Sequence, residues 1–472
     1  MAAVLAPKLA LARAVGALSR LQGGGATSVP GRVLMRLEPS AIGALGARLS
    51  RGSVLISATN GKTTTAAMAA GIFEQAGIGL VRNQAGANMA GGIATTLLAA
   101  ARPRGGIAGE LGLFEVDELW LVTLVDQLRP RAILLSNLFR DQLDRYGELE
   151  TIAERWSDAL ARSDARLVLN ADDPQIADLG RERSEVVYFG VDDDSLAMPG
   201  MAHAADAKHC RRCGAAYVFD AVYLGHLGHY HCESCGQSRP APAITATDVT
   251  LEGVRSARFM LRTPAGQAEV RLGLPGLYNV YNALAAAALA STLGVPLPSI
   301  VAGLSGTRAA FGRAESVTLS LDGASPAQRA PAEGHRELRI LLVKNPAGAN
   351  EVLRTLALEP GEHDLLAVLN DKIADGRDVS WIWDADFELL ASRIRRVTCS
   401  GNRAADLAVR LKYAGVEEAR IHVQRDLERA LREAAGDRGE GDSPLYALPT
   451  YTAMLSLRDL LVARGEASSA WA

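Results

Sequence analysis

The sequence predicts an α/β protein with two domains, the first of which carries a small insertion. Apolar runs of strand length alternate with helical patterns along most of the 472 residues, as they do in proteins built on parallel sheets. A segment at about residues 205–240 with two CxxC pairs interrupts this alternation. The strand–turn–helix rhythm starts again near Ser316. We therefore expect a first domain over residues 1–312 and a second α/β domain over residues 313–472.

The composition is that of a globular protein in a reducing compartment. Hydrophobic residues make up 48% and charged residues 22% of the chain, and the net charge of −3 gives no support for non-specific nucleic-acid binding. No apolar run reaches the roughly 18 residues that span a bilayer. Four of the five cysteines are clustered, which suits one metal site rather than a disulfide framework. We therefore predict a cytoplasmic protein.

The elements of the first domain follow from local patterns. The N-terminal "MAAVLAPKLALARAVGALSRLQ" is interrupted by basic residues and predicts an amphipathic helix rather than a secretory signal. Strands are predicted at Ile107–Ala108, Leu119–Val125 and Ala132–Ser136, in "ARLVLNADDP", and on both sides of the cysteine segment in "YVFDAVYL" and "TATDVTLEGVRSARFMLRT". The alanine-rich "GLYNVYNALAAAALASTLG" predicts a helix.

The second domain shows the same rhythm between polar loops. The segments "LRILLVKNPAGANEVLRTLA" and "HDLLAVLND" each contain a buried-strand pattern followed by a turn. Loops are predicted at 322–337, which is rich in Pro, Ala and Gly, and at 436–444. These patterns predict a second parallel α/β unit.

A phosphate-binding loop is predicted at residues 57–65, "SATNGKTTT", between an apolar strand and a helix. Gly61 lets the backbone approach phosphate oxygens, Lys62 brings positive charge, and the Thr63 hydroxyl can bind Mg²⁺ beside the free N–H groups of the helix N-terminus. The full P-loop pattern has glycine where this chain has Ile56. The alternative is a helix N-terminus capped by threonines.

A carboxylate that could hold Mg²⁺ follows in "LGLFEVDELW", residues 111–120. Glu115 and Glu118 both flank the apolar run. Glu115 is the candidate because it lies at the predicted strand. The alternative is a surface acid at the end of a strand.

The cysteine spacing predicts a structural zinc ribbon. Eighteen residues separate the pair Cys210 and Cys213 from the pair Cys232 and Cys235. Four thiolates close a tetrahedral shell around Zn²⁺, so that no position remains for water or substrate. The alternative is a set of unpaired core cysteines.

Five motifs, in chain order, resemble those of the Mur ligase family. They are "ATNGKTTT" (GTNGKTT in the family), "FEVDE" at the strand that supplies the magnesium glutamate, "NLFRDQLDRYG" at 137–147, "GLYNVYNALAA", and "FGRAE" at 311–315. The resemblance implies a central P-loop ATPase domain with a C-terminal ligase domain. It implies that ATP is bound by Asn60, Gly61, Lys62, Thr63, Thr64, Asn282 (at adenine) and Arg313 (near the phosphates), with Lys62 also catalytic.

The chain departs from the ordinary amino-acid-adding ligases at two points. Gln142 replaces a histidine that helps to hold a metal, and no lysine occurs between Asp173 and Lys208 to match the carbamylated lysine of several relatives. A second magnesium site is therefore left open.

Three segments of the second domain, with the inserted CxxC pairs, resemble the MurT family, whose members are the ligase subunits of enzymes that amidate lipid II. They are "KNPAGANEVL" (344–353), "NDKIADGRDVSWIWDADFE" (370–388) and "YALPTYTAMLSLR" (446–458). The resemblance implies ATP-driven conversion of D-glutamate in the lipid II stem peptide to D-isoglutamine, at the inner face of the cytoplasmic membrane. It implies a GatD-like glutaminase partner, in a heterodimer or a larger assembly, that supplies ammonia.

Two residues of the second domain are candidates for this chemistry. The resemblance implies an aspartate that completes the Cys–His pair of the partner; we place it at Asp378, with Asp375 second. The alternative is that these acids cap a helix in "VSWIWDADFELLASRI". Lys344 is the candidate substrate-binding cation near the acyl phosphate, and the alternative is a solvated lysine at a strand end. Cys399 is predicted to be a buried, small apolar residue rather than a glutaminase nucleophile.

Two other functions are considered. A folylpolyglutamate-type ligase would share the scaffold with another acceptor, but the cysteine insertion and "DGRDVSW" argue against it. A zinc-ribbon nucleic-acid-binding NTPase would need a basic surface, whereas the chain is net acidic. No nucleic-acid partner is therefore expected.

Overall fold

The computed structural model describes residues 2–21, 27–83, 86–102, 105–141, 149–201, 205–307, 313–320, 335–437 and 443–467. Within these residues the strands form one large sheet in the first part of the chain, a second sheet in the last part, and a separate two-stranded hairpin. The α/β class predicted from the sequence is confirmed.

The first part of the chain forms a mixed sheet that is mainly parallel. Its strands in chain order, with the hairpin strands β7 and β8 included, are β1 Ser53–Ser57, β2 Leu80–Arg82, β3 Leu111–Glu115, β4 Ala132–Leu135, β5 Arg166–Asn170, β6 Val186–Val191, β7 Val218–Leu224, β8 Leu227–His231, β9 Ile244–Glu252, β10 Ser256–Thr263 and β11 Gly266–Leu272. Among the described residues the sheet order is β11-β10-β9-β6-β5-β4-β1-β3-β2. In this sheet β9, β6, β5, β4, β1, β3 and β2 run parallel, whereas β10 is antiparallel to both β9 and β11.

Helices cover both faces of this sheet. They are α1 Ala2–Leu21, α2 Val29–Leu37, α3 Ala41–Gly46, α4 Lys62–Gln75, α5 Ala90–Ala100, α6 Leu121–Leu128, α7 Leu149–Ala161, α8 Pro174–Asp178, α9 Leu277–Thr292 and α10 Leu297–Ser305. Helix α4 packs against α9 and α10 in one hydrophobic core, and α1 to α3 pack with α5 in the other. Burial on both faces explains why the central strands are apolar without alternation.

The second sheet belongs to the last part of the chain. Its strands are β12 Arg313–Ser320, β13 His335–Leu341, β14 His363–Val368, β15 Ile394–Ser400, β16 Ile421–Val423 and β17 Leu445–Pro449, and its helices are α11 Pro346–Ala357, α12 Ala404–Tyr413, α13 Leu427–Gly436 and α14 Tyr451–Ala463. Among the described residues the order is β12-β13-β17-β14-β15-β16, with β12 antiparallel to the rest. The sheet begins at Arg313, where the second domain is expected to start; the domain boundary itself stays a prediction.

Some predicted elements are wrong. The apolar run Leu119–Val125 lies mostly in helix α6 rather than in a strand, and Ile107 makes only an isolated bridge to Ala101. A continuous apolar run has no periodicity that separates a buried helix from a buried strand. The loop predicted at 322–337 is shorter, because β13 already starts at His335; residues 322–334 and, in the other loop, 438–442 lie outside the described part of the chain.

The helices also bear on membrane insertion. Of the helices in the described ranges, none combines the length and the apolar character that a bilayer span requires.

Candidate active site

The phosphate-binding loop connects β1 to α4 at the carboxyl edge of the first sheet. Gly61 is the N-cap of α4 and adopts a left-handed backbone with φ of 83°. A Cβ atom at this position would lie 2.0 Å from Oδ1 of Asn282. Glycine is therefore required twice, for its backbone angle and for the close approach of Asn282. The position of Asn282 against the loop places α9 at the site.

Lys62 opens helix α4 and is held by an acid. Its side chain is 11% exposed, and Nζ donates a hydrogen bond of 2.9 Å to Oε2 of Glu118. Burial opposes the charged form, but Glu118, with smaller contributions from Glu115 and Asp141, outweighs it and holds the pKa of Lys62 above its ordinary value. Lys62 therefore keeps its positive charge at the loop. From the sequence, Glu118 was considered only as a second magnesium candidate, and its ion pair with Lys62 was not predicted.

Thr63 and Glu115 come together as the sequence predicts. The Thr63 hydroxyl donates to Oε1 of Glu115 at 3.1 Å, and Glu115 is the last residue of β3, the neighbour of β1. Asn83 fixes the backbone of Glu115 by a hydrogen bond on each side, at 2.9 and 3.0 Å. A hydroxyl and a carboxylate oxygen at one helix N-terminus are ligands that suit Mg²⁺.

The segment that follows β4, residues 137–141, binds the phosphate loop. Oδ1 of Asn137 accepts from the backbone N–H of Asn60 at 2.9 Å, and the N–H of Phe139 donates to the Thr59 hydroxyl at 3.0 Å. This segment starts the motif "NLFRDQLDRYG". The rest of that motif, including Gln142, lies outside the described residues.

The second domain reaches the loop through the connection between β13 and α11. Nζ of Lys344 donates to the backbone oxygen of Thr59 at 3.0 Å and pairs with Asp141 at 2.7 Å. The side-chain amides of Asn345 and Asn60 bond each other reciprocally, at 3.0 and 3.3 Å. Lys344 is thus not a solvated lysine at a strand end. Asn345 was missed by the sequence reasoning, although Asn before Pro is a helix-start signal that could have found it.

A cavity lies between the two domains at this contact. At one end it is lined by Asn60, Gly61, Thr64, Asn282 and Lys344, and elsewhere mainly by apolar side chains, among them Leu224, Leu227, Tyr278, Leu341 and Val352. The polar end coincides with the predicted phosphate site. Thr64 and Asn282 therefore meet Asn60 and Gly61, two other predicted ATP-binding residues, at this cavity.

Glu351 is a buried carboxylate in the wall of this cavity. It is 6% exposed, and Nη1 of Arg354 donates to it at 2.8 Å. Burial raises its pKa to about 7, because one cation does not replace the lost hydration. No motif or spacing in the sequence singles out this residue.

The four cysteine thiols at the base of the hairpin lie close enough to share one metal ion. Their sulfur atoms all fall within 4.8 Å of one another. Gly214 and Gly236, which follow the pairs, adopt φ of 76° and 75°, as the tight turn after each pair requires. The donor set fits a closed tetrahedral Zn²⁺ site.

The two candidate aspartates have different surroundings. Asp375 is buried, and Oδ1 accepts from the backbone N–H of Thr452 at 2.7 Å, so it fixes the start of α14. Asp378 is exposed and accepts from the N–H of Ser380 at 2.8 Å, a hydrogen bond that holds its pKa below the ordinary value. The segment forms three short 3₁₀ helices, Ser380–Asp384, Phe387–Leu389 and Ala391–Arg393, and the hydrogen bond of Asp378 lies at the start of the first, as the capping alternative expects.

The remaining predicted residues are placed as follows. Cys399 is fully buried, as expected, and burial raises its pKa to about 12. Arg313 is the first residue of β12, and its side chain lies outside the described part of the structure.

Family models match two parts of the chain. A model of the Mur ligase middle domain matches residues 56–218, and a model of the MurT ligase C-terminal region matches residues 342–454. The matched parts contain the phosphate loop and the Lys344 connection, respectively.

Two curated relatives cover nearly the whole chain. The MurT subunit of lipid II isoglutaminyl synthase (glutamine-hydrolyzing) from Streptococcus pneumoniae is 33% identical over 449 residues, which are 95% of this chain and 94% of that protein. The subunit of the same name from Staphylococcus aureus (strain N315) is 30% identical over 454 residues, 96% of each chain.

Solved structures share the fold at low identity. A pseudomurein peptide ligase type C from Methanothermus fervidus superimposes with a TM-score of 0.62 at 21% identity, covering 88% of this chain and 79% of that one. MurF from Acinetobacter baumannii gives 0.64 at 18% identity, covering 92% and 81%. These similarities establish the Mur ligase architecture.

The buried carboxyl of Glu351 makes stability depend on pH. Its folded pKa of about 7 exceeds the ordinary 4.5, so its contribution is complete below about pH 4.5 and is lost as the pH rises through 7. Glu351→Gln should therefore gain roughly 3 kcal/mol of unfolding free energy relative to the parent between about pH 4.5 and pH 8. Urea unfolding at both pH values measures this difference. Glu182→Gln, at a side chain 84% exposed, is the control, and an equal response of both variants would contradict the assignment.

Proposed function

Because the chain belongs to the MurT family of lipid II isoglutaminyl synthase subunits, we propose that it is the ATP-using subunit of such an enzyme. It converts the α-carboxylate of D-glutamate in the stem peptide of lipid II to an amide, giving D-isoglutamine for peptidoglycan synthesis. Ammonia comes from glutamine that a GatD-like glutaminase hydrolyses. The chain acts in the cytoplasm, at the inner face of the membrane that holds its lipid-linked substrate.

The contact between the two domains carries this proposal. Lys344 of the second domain lies 3.0 Å from the backbone of the phosphate loop, and Asn345 bonds Asn60 of that loop. A ligase must bring an acceptor carboxylate to the γ-phosphate of ATP, and these residues flank the cavity where the two would meet. These contacts support a reaction at the interface of the two domains.

The first step activates the carboxylate, since a free carboxylate has no leaving group that ammonia could displace. A carboxylate oxygen attacks the γ-phosphorus, the bond to the bridging oxygen breaks, and ADP departs from an acyl phosphate. Lys62, kept charged by Glu118, stabilises the transferring phosphoryl group. Thr63 and Glu115 fit a Mg²⁺ ion, which when bound supplies further neutralisation of the phosphates.

The second step forms the amide. Ammonia attacks the acyl carbon, the bond to the phosphate oxygen breaks, and phosphate leaves while the nitrogen loses a proton. Lys344 is positioned to offset the charge that gathers on the departing phosphate. Its partner Asp141, at 2.7 Å, fixes the direction of the Lys344 side chain.

The exposed carboxylate of Asp378 suits the role of the partner-facing acid. A hydrogen bond from Ser380 keeps it ionised, and an ionised acid can orient a histidine and stabilise its protonated form. Large apolar side chains near it in sequence, Ile373 at 78% and Trp383 at 52% exposure, offer contact area for a protein surface. Asp375 is less suited, because Thr452 already occupies its carboxylate.

Lipid II amidation tests the proposal directly. With ATP we expect amidated lipid II from free ammonia alone and from glutamine plus the glutaminase, with one phosphate released per amide. Lys62→Ala should lower both rates by roughly a thousandfold, whereas Lys412→Ala, at a side chain 57% exposed, should leave them unchanged. If neither nitrogen source yields amidated lipid II, the proposed function is wrong.

Substitution of Asp378 separates the two half-reactions. Asp378→Asn should slow the glutamine-dependent reaction of the complex by roughly a thousandfold, because the histidine of the partner loses its orienting charge. The ammonia-dependent rate should stay at the parent value. Asp406→Asn, at a side chain 44% exposed, is the control. Glutamine hydrolysis at the parent rate in the Asp378 variant would rule out this role.

A further inference from the structure

We infer that the tip of the cysteine-bearing hairpin, residues 223–227, is a wall of the ATP site. In this arrangement Leu224 and Leu227 contact the nucleoside, and the four-cysteine clip at the other end of the hairpin sets their position. The inference rests on the proposed function, because it takes ATP as the ligand of the cavity. A closed set of four thiolates leaves no position on the metal for water or substrate, so the ribbon would contribute to the site by positioning residues and not by metal chemistry.

The lining of the cavity places the hairpin tip at the nucleoside. Leu224 and Leu227 are buried and line the same cavity as Asn60 and Gly61 of the phosphate loop. In the proposed complex the phosphate loop and Lys62 bind the phosphates, so the nucleoside would extend along the apolar part of the lining. Apolar side chains with few polar groups are the usual surroundings of a bound base.

The tip is packed against the segment that holds the phosphate loop. A Cβ atom on Gly225, whose φ is 60°, would lie 2.8 Å from the ring of Phe139. The buried ring of His226 lies 4.5 Å from the same ring, centre to centre. Phe139 in turn bonds the Thr59 hydroxyl at 3.0 Å. A displacement of the tip would therefore shift both the phosphate loop and the lining of the cavity.

The strand pairing of the hairpin cannot fix the tip by itself. Strands β7 and β8 form a separate two-stranded sheet, and two register shifts interrupt their pairing. Irregular pairing specifies the register of a two-stranded sheet weakly, so the hairpin depends on the packing of Tyr223, Leu224 and Leu227 in the core and on further ties. Cys213 precedes β7 and Cys232 directly follows β8, so a shared ion would tie the two strands together at the end opposite the tip. The clip and this packing together hold the register that carries Leu224 and Leu227 into the cavity.

The test compares a nucleotide with a triphosphate that lacks the nucleoside. The full zinc-loaded chain is titrated with a non-hydrolysable ATP analogue and with inorganic tripolyphosphate, each with Mg²⁺. The double variant Leu224→Ala, Leu227→Ala should bind the analogue about 10-fold or more weakly, because it loses apolar contact with the nucleoside. Its affinity for tripolyphosphate should stay within about twofold of the parent. Val222→Ala, a buried position of the same hairpin that does not line the cavity, should bind both ligands like the parent.

The outcomes separate this inference from the proposed function. If the parent chain binds neither ligand, the ATP-using function fails. If the parent binds both and the leucine variant keeps its affinity for the analogue, or loses both ligands equally, the hairpin tip is not a nucleoside wall.

A second variant tests the clip. In Cys213→Ser, Cys235→Ser the two exposed thiols are replaced, and the zinc content and far-ultraviolet circular dichroism report metal loss and folding. We expect a folded, zinc-free chain that binds the analogue about 10-fold more weakly and tripolyphosphate unchanged. A folded, zinc-free chain with the affinity of the parent for the analogue would overturn the positioning role of the clip. If the serine variant does not fold, the leucine variant decides the inference alone.

Discussion

The segment 137–141, just beyond the end of β4, holds the parts of the site in one place. Asn137 bonds the phosphate loop at Asn60, and Phe139 bonds it at Thr59 while its ring carries the hairpin tip. The backbone of Arg140 donates to Asp206 at the start of the insertion, at 2.9 Å, and Asp141 pairs with Lys344 of the second domain. The phosphate loop, the inserted ribbon and the second domain thus all contact this short segment. Its hydrogen bonds pair polar groups that would be costly to bury without a partner.

The two lysines of the site are also paired. Lys62 and Lys344 are both largely shielded from solvent, and each has its own acid, Glu118 or Asp141. Glu118, with Glu115 and Asp141, holds the pKa of Lys62 above its ordinary value, and Asp141 fixes the direction of the Lys344 side chain. In the proposed reaction these acids act through the lysines rather than by contact with the substrate.

Features encoded within a short stretch of sequence could be predicted, whereas contacts between residues far apart in the chain could not. The strand, glycine turn and helix around Gly61 were predicted because period, turn residue and helix start all agree there. The run Leu119–Val125 was misassigned because unbroken apolar character suits a buried helix equally well. The contact of Lys344 with Thr59 joins residues 285 positions apart, and no local pattern encodes it. The same holds for Leu224 at the cavity between the two domains, since a ribbon motif predicts its own metal but not which residues the other end of the hairpin contacts.

The central claim is that the carboxylate is activated as an acyl phosphate at the contact between the two domains. The most direct measurement follows oxygen-18 from a labelled α-carboxylate of the stem-peptide D-glutamate during amidation with ATP and ammonia. Activation as an acyl phosphate predicts that one carboxylate oxygen leaves in each phosphate released, visible as an isotope shift in the phosphorus resonance. Phosphate that carries no label from the carboxylate would contradict it.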